Sequence, residues 1–544
     1  IIVLLGGRPA PAYWVAMENG IPIAWTSSST PTIWNTSTHT LTWSFDPIGF
    51  NQPGWPTIAQ AGAAFQNAFQ SLQDVGGTGL NFIRLPNSTG TPRSGDGSLQ
   101  VCLTPNATLD YFNQNITNEA AVTYITYDVA SGSLLDADIE VNGGPSAQFS
   151  KWSTLGPSAP SGSLDLETTA LRQAMAALGA STTPFFSAAA WPLLRSPGDP
   201  FHDRCLSPDD RMYARTIAPT TPAFSTITGT VTVQGSLAPC NLAIVVATDA
   251  DGVPQATTVT HADGTYTLNI PSATRDAPPL TTYSVTAHHF LNGTYASPTS
   301  VDLGFSGATG FIAVQPPAAV DTRGGLSGIN FSVTAGTPTL TLLQQSISPA
   351  PLATQVLYLD PNGPTSSGTL QFSFQNSGAF ASLSNLSLGP GIILGTPTVT
   401  STGSSQTLVT VTYGLATAPA PPPSPGLRNL SFSIPGGEQF FLPAVVEVVG
   451  QGGLTVQAGP QNPTAQNPTN SQPEVPLLQV TLLAAGAEDL RIHQLSFTLS
   501  GQGAVPGAVH LWKDQGSVPG FYDPGDVPLY TGNAYSQSSV GETI

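Results

Sequence analysis

Few residues in this 544-residue chain can do chemistry. Histidine occurs 7 times and cysteine 3 times, and within the first 219 residues the histidines are His39 and His202. His202 lies near Asp199, Asp203 and Cys205, whose N, O and S donors could coordinate a metal. A solvated loop is the plainer reading of that segment. A second acidic stretch carries Asp514, Asp523 and Asp526 around the run Val509-His510-Leu511-Trp512-Lys513. Calcium favours oxygen ligands, and these three carboxylates could supply them. The D-x-[DN]-x-[DN]-G spacing is not kept, since Gln515, Gly516 and Ser517 follow the first Asp, so a plain acidic turn competes. No G-x-S-x-G elbow flags a serine nucleophile. Cys102 and Cys205 fall in one predicted domain and could pair, with buried free thiols as the alternative.

Composition bounds what such residues could serve. Charged residues are 8% of the chain, against roughly 25% in an average globular protein. Lys+Arg 14 against Asp+Glu 32 gives a net charge of −18, which argues against nucleic acid or an anionic membrane as partner. Hydrophobic residues at 40%, with 8 Trp, 13 Tyr and 23 Phe, exclude disorder throughout and suffice for several cores. At roughly 100–200 residues per domain the length predicts about three to five domains. The 55 Gly and 51 Pro imply many turns between short strands. No apolar run is long enough for a transmembrane helix. Residues 1–12 look like the tail of a secretory signal ending at Ala10-Pro11-Ala12, with an ordinary N-terminal strand as the alternative. Asn35, Asn87, Asn106, Asn115, Asn292, Asn330, Asn385 and Asn429 head N-x-S/T sequons, which matter only in a host that glycosylates.

The elements that must position these residues differ along the chain. Residues 13–219 hold seven of the eight Trp and the two convincing helices. Ile58, Ala61, Phe65, Phe69 and Leu72 recur at helical spacing over 56–75, and Gly76-Gly77 stops the run. Strands are expected at 80–85, 121–127 and 134–141, with Ser131-Gly132 turning the chain between the last two. A second helix is expected over 164–178, capped by Ser163 or Asp165 and stopped by Gly179. Ser207-Pro208-Asp209-Asp210 is a further helix start, with Ser as N-cap, Pro at N1 and two acids in the positive first turn. After Pro222 the pattern is strand-only, at 226–233, 242–247, 257–259, 265–270 and 283–287, with turns at Asp251-Gly252 and Asp263-Gly264. The repeated Gln461-Asn462-Pro463-Thr464 and Gln466-Asn467-Pro468-Thr469 reads as a linker.

In this order, the segments of residues 13–219 resemble the matrixin-like branch of the metzincin metalloproteases. Ala64-Phe65-Gln66-Asn67-Ala68-Phe69-Gln70 with Gly79-Leu80-Asn81-Phe82 looks like the family's first helix and following strand. Leu134-Leu135-Asp136-Ala137-Asp138-Ile139-Glu140-Val141-Asn142-Gly143 looks like its edge strand over the substrate cleft. Asp165-Leu166-Glu167-Thr168-Thr169-Ala170-Leu171 leads into the position of its active-site helix, and Leu206-Ser207-Pro208-Asp209-Asp210 looks like the start of its last helix. The family's zinc motif is H-E-x-x-H-x-x-G-x-x-H. Registered on Leu171 and Gly179, its fixed positions are Arg172, Gln173, Ala176, Gly179 and Thr182, so the glycine alone survives. Zinc needs neutral imidazoles or similar donors. A guanidinium stays protonated and repels the ion, alanine has no donor, and the Gln173 amide is no useful base. The Met-turn expected at 185–191 is also missing, since the methionines are Met17, Met175 and Met212. The resemblance therefore implies a metalloprotease scaffold without its metal, with no catalytic residue, zinc unlikely and no cofactor expected beyond calcium at the C-terminal acids.

Residues 225–290 resemble the carboxypeptidase regulatory-like β-sandwich, through Ile227-Thr228-Gly229-Thr230-Val231, Asp263-Gly264-Thr265-Tyr266-Thr267-Leu268 and Tyr283-Ser284-Val285. Residues 337–457 look like an immunoglobulin-like module of the IPT/TIG type, through Ile347-Ser348-Pro349-Ala350, Leu386-Ser387-Leu388-Gly389-Pro390-Gly391-Ile392 and Leu430-Ser431-Phe432-Ser433-Ile434-Pro435. The last block resembles bacterial extracellular β-domains.

The expected fold class is thus a multidomain chain with an α+β metzincin-like N-terminal domain followed by two or three all-β sandwich domains. The expected boundaries are 1–12 signal remnant, 13–219 head, 220–336 and 337–457 sandwiches, 458–475 linker and 476–544 C-terminal β-domain. The expected role is binding, adhesion or scaffolding outside the cell or on its surface, with a protein or glycan ligand and no nucleic acid. A secreted metallopeptidase acting through an unrecognised metal site is the alternative. Trp14, Trp25, Trp34, Trp43 and Trp55 motivate a glycan-gripping reading, against which stands ordinary core packing.

Overall fold

The computed structural model describes residues 17–543 except 19–20, 27–28, 30–33, 51–54, 89–94, 105–110, 113–115, 117–118, 144–150, 156–159, 161, 182, 190, 192–203, 221–223, 272–282, 290–308, 316–325, 377–379, 404, 417–422, 451–452, 460–477, 486–497, 500–508, 514–526, 533–535 and 539–540. The expected signal remnant and the Gln-Asn-Pro-Thr repeats lie outside these residues. The chain is mostly β and carries many sheets. It divides into two compact units, 1–449 and 450–544.

The first unit opens with a mixed head. Helix α1 (Ile58–Gln73) starts at a capping box, in which Thr57 accepts from the Gln60 N–H and the Gln60 side chain accepts from the Thr57 N–H. Its predicted stripe is buried at Ala61, Phe65, Phe69 and Leu72, while Ile58 at its tip stays exposed. Helix α2 (Leu166–Ala177) is capped by Asp165, whose side chain accepts from the Thr168 N–H. Helix α3 (Pro208–Ile217) has the expected Ser207 cap, closed into a capping box by Asp210. The two acids of its first turn face the positive helix end.

Six strands form the head sheet: β1 (Trp34–Asn35), β2 (Thr40–Phe45), β3 (Asn81–Arg84), β4 (Leu99–Thr104), β5 (Ala121–Tyr127) and β6 (Leu134–Asn142). The order is β3-β2-β4-β6-β5, and the two-residue β1 also pairs with β2. β3, β2, β4 and β6 run parallel and β5 is antiparallel to β6. The family resemblance places 134–143 at the sheet edge. The structure corrects this: the tight turn at Asp128–Gly132 folds β5 outward, so β5 is the edge strand and β6 lies inside. Trp43, Phe45, Phe65, Phe69 and Phe82 fill the space between α1 and the sheet.

The second module is a sandwich of β7 (Phe224–Val233), β8 (Ile244–Asp249), β9 (Pro254–Val259), β10 (Thr265–Pro271), β11 (Tyr283–His288), β12 (Phe311–Gln315) and β13 (Phe331–Ala335). Its sheets run β10-β7-β13-β12 and β9-β8-β11. Strands β12 and β13 complete the larger sheet.

The third module has β14 (Thr341–Ser348), β15 (Leu357–Leu359), β16 (Ser367–Gln375), β17 (Ser384–Ser387), β18 (Ile392–Leu394), β19 (Thr398–Ser401), β20 (Gln406–Leu415), β21 (Gly426–Ser433) and β22 (Gln439–Val448). Its sheets run β14-β16-β20-β18, with β19 also on β20, and β15-β22-β21-β17. Leu370, Phe372 and Phe374 alternate inward along β16, the period-2 pattern of a sandwich strand.

In the second unit Gly453–Ala458 pairs antiparallel with Val480–Ala485, and Val509–Lys513 with Val527–Gly532. The sequence pattern ends the third module at 457. The pairing of Gly453–Ala458 across the linker places that strand in the second unit instead.

Candidate functional site

Three zinc-motif positions, Arg172, Gln173 and Ala176, fall on α2, beside the edge strand β5. Arg172 and Ala176, one turn apart, are half-buried on one face of the helix. Gln173 is buried against β5: its Oε1 accepts from the Thr123 hydroxyl at 2.7 Å and its Nε2 donates to the Ala121 carbonyl at 3.1 Å. The amide that stands at the family's general-base position therefore ties helix to strand with both of its ends. Thr182, the last motif position, lies outside the described residues.

Gly179 closes α2, at the stop expected for the helix over 164–178. Its φ is +91°, the Ala180 N–H donates to the Met175 carbonyl and the Gly179 N–H to Ala176, a Schellman end. A Cβ there would stand 2.5 Å from the Ile23 carbonyl oxygen, so the chain near residue 23 lies directly on the glycine. The Trp25 indole also donates to the Ala177 carbonyl at 2.9 Å. At the other end of the helix, the Arg204 guanidinium bonds Asp165 through Nε at 2.9 Å and stands 3.4 Å from Glu167, to which Asn67 also donates.

A buried acidic row is absent from the candidates singled out by sequence. Asp136, Asp138 and Glu140 occupy alternate positions of β6 and share one face, and all three are buried. Asp136 accepts from the Gly95 N–H and Asp138 from the Gln100 N–H. Burial pushes the Asp136 carboxyl up to about 6 and that of Asp138 up to about 9, with neighbouring acids adding to both. Its signal in the sequence is the D-A-D-I-E alternation, which reads as a strand alone.

No disulfide joins Cys102 and Cys205: the first is buried and the second exposed, so the pairing raised by the sequence does not form. Asp199, His202, Asp203, Asp514, Asp523 and Asp526 lie outside the described residues. Among the described residues no three His, Cys, Asp or Glu side chains are grouped so as to hold a metal ion. Trp25, Trp34 and Trp43 are core residues, and Trp55 packs edge-on against Trp152. Burial leaves the first three no open face for a sugar; Trp14 is outside the described residues. Among the described residues no helix is long and apolar enough to cross a membrane.

No family model matches the chain, and no curated protein matches it. Several solved structures are similar at low level, three pilin structures among them. BcpA, the major pilin subunit of Bacillus cereus, is 10% identical over 43% of this chain and 71% of its own, with a TM-score of 0.14. A point variant of the same pilin is 10% identical over 56% of this chain and 96% of its own, at 0.13. The full-length major pilin SpaD of Corynebacterium diphtheriae is 9% identical over 43% of this chain and 67% of its own, at 0.14. At these scores the three define neither the path of this chain nor its role.

Proposed function

We propose that this chain is an exported extracellular or cell-surface protein that works by binding, adhesion or scaffolding. Its head keeps a metzincin-like scaffold that has lost the catalytic zinc site. The observation that carries the reading is the state of Gln173. The side chain at the general-base position is an amide, and Thr123 and Ala121 engage both of its ends. Beside it Arg172 offers a cation and Ala176 a methyl, neither of which binds zinc. The succession α1, β3, the β5–β6 hairpin, α2 with its closing Gly179, then α3 supports the metzincin-like assignment. The low-charge, turn-rich composition supports export, as does the Ala10-Pro11-Ala12 site. In the same reading, 220–336 is a carboxypeptidase regulatory-like sandwich and 337–457 an IPT/TIG-type module.

The ligand would be a protein or glycan; calcium at Asp514, Asp523 and Asp526 belongs to the same proposal. The test is metal analysis of the purified chain with a casein assay, with and without chelator. The expected result is substoichiometric zinc and no chelator-sensitive cleavage. One equivalent of zinc with cleavage abolished by chelator overturns it, in favour of a secreted metallopeptidase with an unrecognised metal site.

A further inference from the structure

Phe185, Phe186, Ala188 and Trp191 follow α2 and belong to the head by sequence, yet they do not pack in the head core, against which their neighbour Ala189 does pack. Phe185, Phe186, Ala188 and Trp191 are buried in the core of the third module, among residues of β14, β16, β20 and β22. The Phe186 N–H donates to the Pro443 carbonyl in β22 at 3.1 Å, and the Phe186 and Trp191 rings meet at 4.9 Å. The other end of this segment is held by α3: the Thr183 hydroxyl donates to Asp209 Oδ2 and the Ala189 N–H to Asp210 Oδ2.

Helix α3 in turn divides its faces between two cores. Tyr213 and Ala214 lie in the head core, while Met212 lies in the core of the second module. Asp209, wholly buried, accepts from the Thr257 N–H at 2.7 Å and from its hydroxyl at 3.0 Å in β9, and Asn269 of β10 donates to Thr216. The second and third modules meet as closely. The His288 ring of β11 stacks on Phe441 of β22, with centroids 3.5 Å apart and planes 5° off parallel. Val314 of β12 donates to the Gln439 side chain.

Modules joined by an ordinary linker share few contacts and open independently. Here each pair of modules shares buried side chains. We propose that residues 183–189, Trp191 and α3 form a seam that makes the head and the two following sandwiches one cooperative folding block, not three separable domains. The head then acts as a fixed end-piece of a rigid body. This inference stands apart from the functional reading, since an active or a silent head could be seamed in the same way.

The test is hydrogen exchange of the full chain in graded denaturant, followed by mass spectrometry. In the native chain, peptides of α1 and α2 should share one global opening with peptides of β16 and β20. Phe372→Ala, in the third-module core, should raise exchange of α1 and α2 by the same factor as that of β16, ~100-fold or more for a buried Phe. Phe186→Ala should do the same, and Phe186→Leu serves where the alanine variant does not fold. Head peptides that open independently of β16 in the native chain overturn the proposal. So does a Phe372→Ala effect confined to the third module.

Discussion

Asp209 Oδ1 accepts from both the backbone N–H and the hydroxyl of Thr257, 48 positions along the chain. One carboxylate of a head helix is thus bound by a strand of the next sandwich. Burial dominates its ionisation and pushes the carboxyl up to about 8, against the three hydrogen bonds that favour the charge. The folded state therefore holds a proton that the unfolded chain releases near pH 4. Stability from this group is fully present at acid pH and is lost as the pH rises from about 4 to 8. Asp209→Asn keeps an acceptor for Thr257 and removes the ionisation, so its melting curve should match the native one at pH 5 and exceed it at pH 9. Asp209→Ala strips the acceptor from Thr183 and Thr257 and should cost about 2–3 kcal/mol at pH 5 and less at pH 9, where the native carboxyl has lost its own pH-dependent contribution. Calorimetry of the three chains at both pH values decides it.

The same sign holds for the acidic row of β6. Asp138 at about 9 and Asp136 at about 6 both hold protons in the folded head that the unfolded chain gives up. Raising the pH from 5 to 9 should lower the midpoint of unfolding of the block that contains the head by several degrees, for a loss of several kcal/mol. Asp138→Asn retains an acceptor for the Gln100 N–H and should flatten that slope. A midpoint that climbs between pH 5 and 9 would contradict the assignment.

Gln173 makes a more local prediction. Gln173→Glu replaces the donor to the Ala121 carbonyl with an oxygen, setting two acceptors against each other in a buried site. The loss should be about 2–3 kcal/mol in urea unfolding, more than the ~1 kcal/mol of Gln173→Ala, and it should shrink at low pH as the new carboxyl protonates. The general-base residue of the resembled family is thus the worse fit of the two in this scaffold.

How much of this the sequence discloses follows from where each residue's partners lie. The helices are legible because their signals are local: the Ile58–Leu72 stripe with its Gly76-Gly77 stop, the Asp165 cap, Ser207-Pro208 and Gly179 need no distant partner to be read. The edge strand β5 shows in sequence with its true ends, Ala121 and Tyr127. Strands β2 and β4 are missing from the sequence reading although Thr-Leu-Thr-Trp-Ser-Phe and Leu-Gln-Val-Cys-Leu-Thr alternate with period 2; what the alternation does not disclose is that nearly every residue of both is buried. The acidic row reads as a half-solvated strand, since nothing local shows that its polar face is covered. Adjacency alone assigns Phe185, Phe186 and Trp191 to the head, and their partners in β16 and β22 lie well over 150 positions away.

Gly179 allows two effects to be separated at one position. Alanine there suffers a left-handed φ of +91° and a Cβ 2.5 Å from the Ile23 carbonyl oxygen. The conformational part is worth about 1 kcal/mol, and the close approach adds to it because backbone must move. Gly179→Ala should therefore cost about 2–4 kcal/mol and alter Trp25 emission, since that indole is held on the Ala177 carbonyl beside the site. Asparagine tolerates a left-handed φ better than alanine but carries the same Cβ. If the approach of residue 23 dominates, Gly179→Asn is as damaging as Gly179→Ala. A rescue by asparagine to within a few tenths of a kcal/mol of the native chain would mean that the segment around Ile23 does not bear on the helix end, and that the glycine serves the helix cap alone.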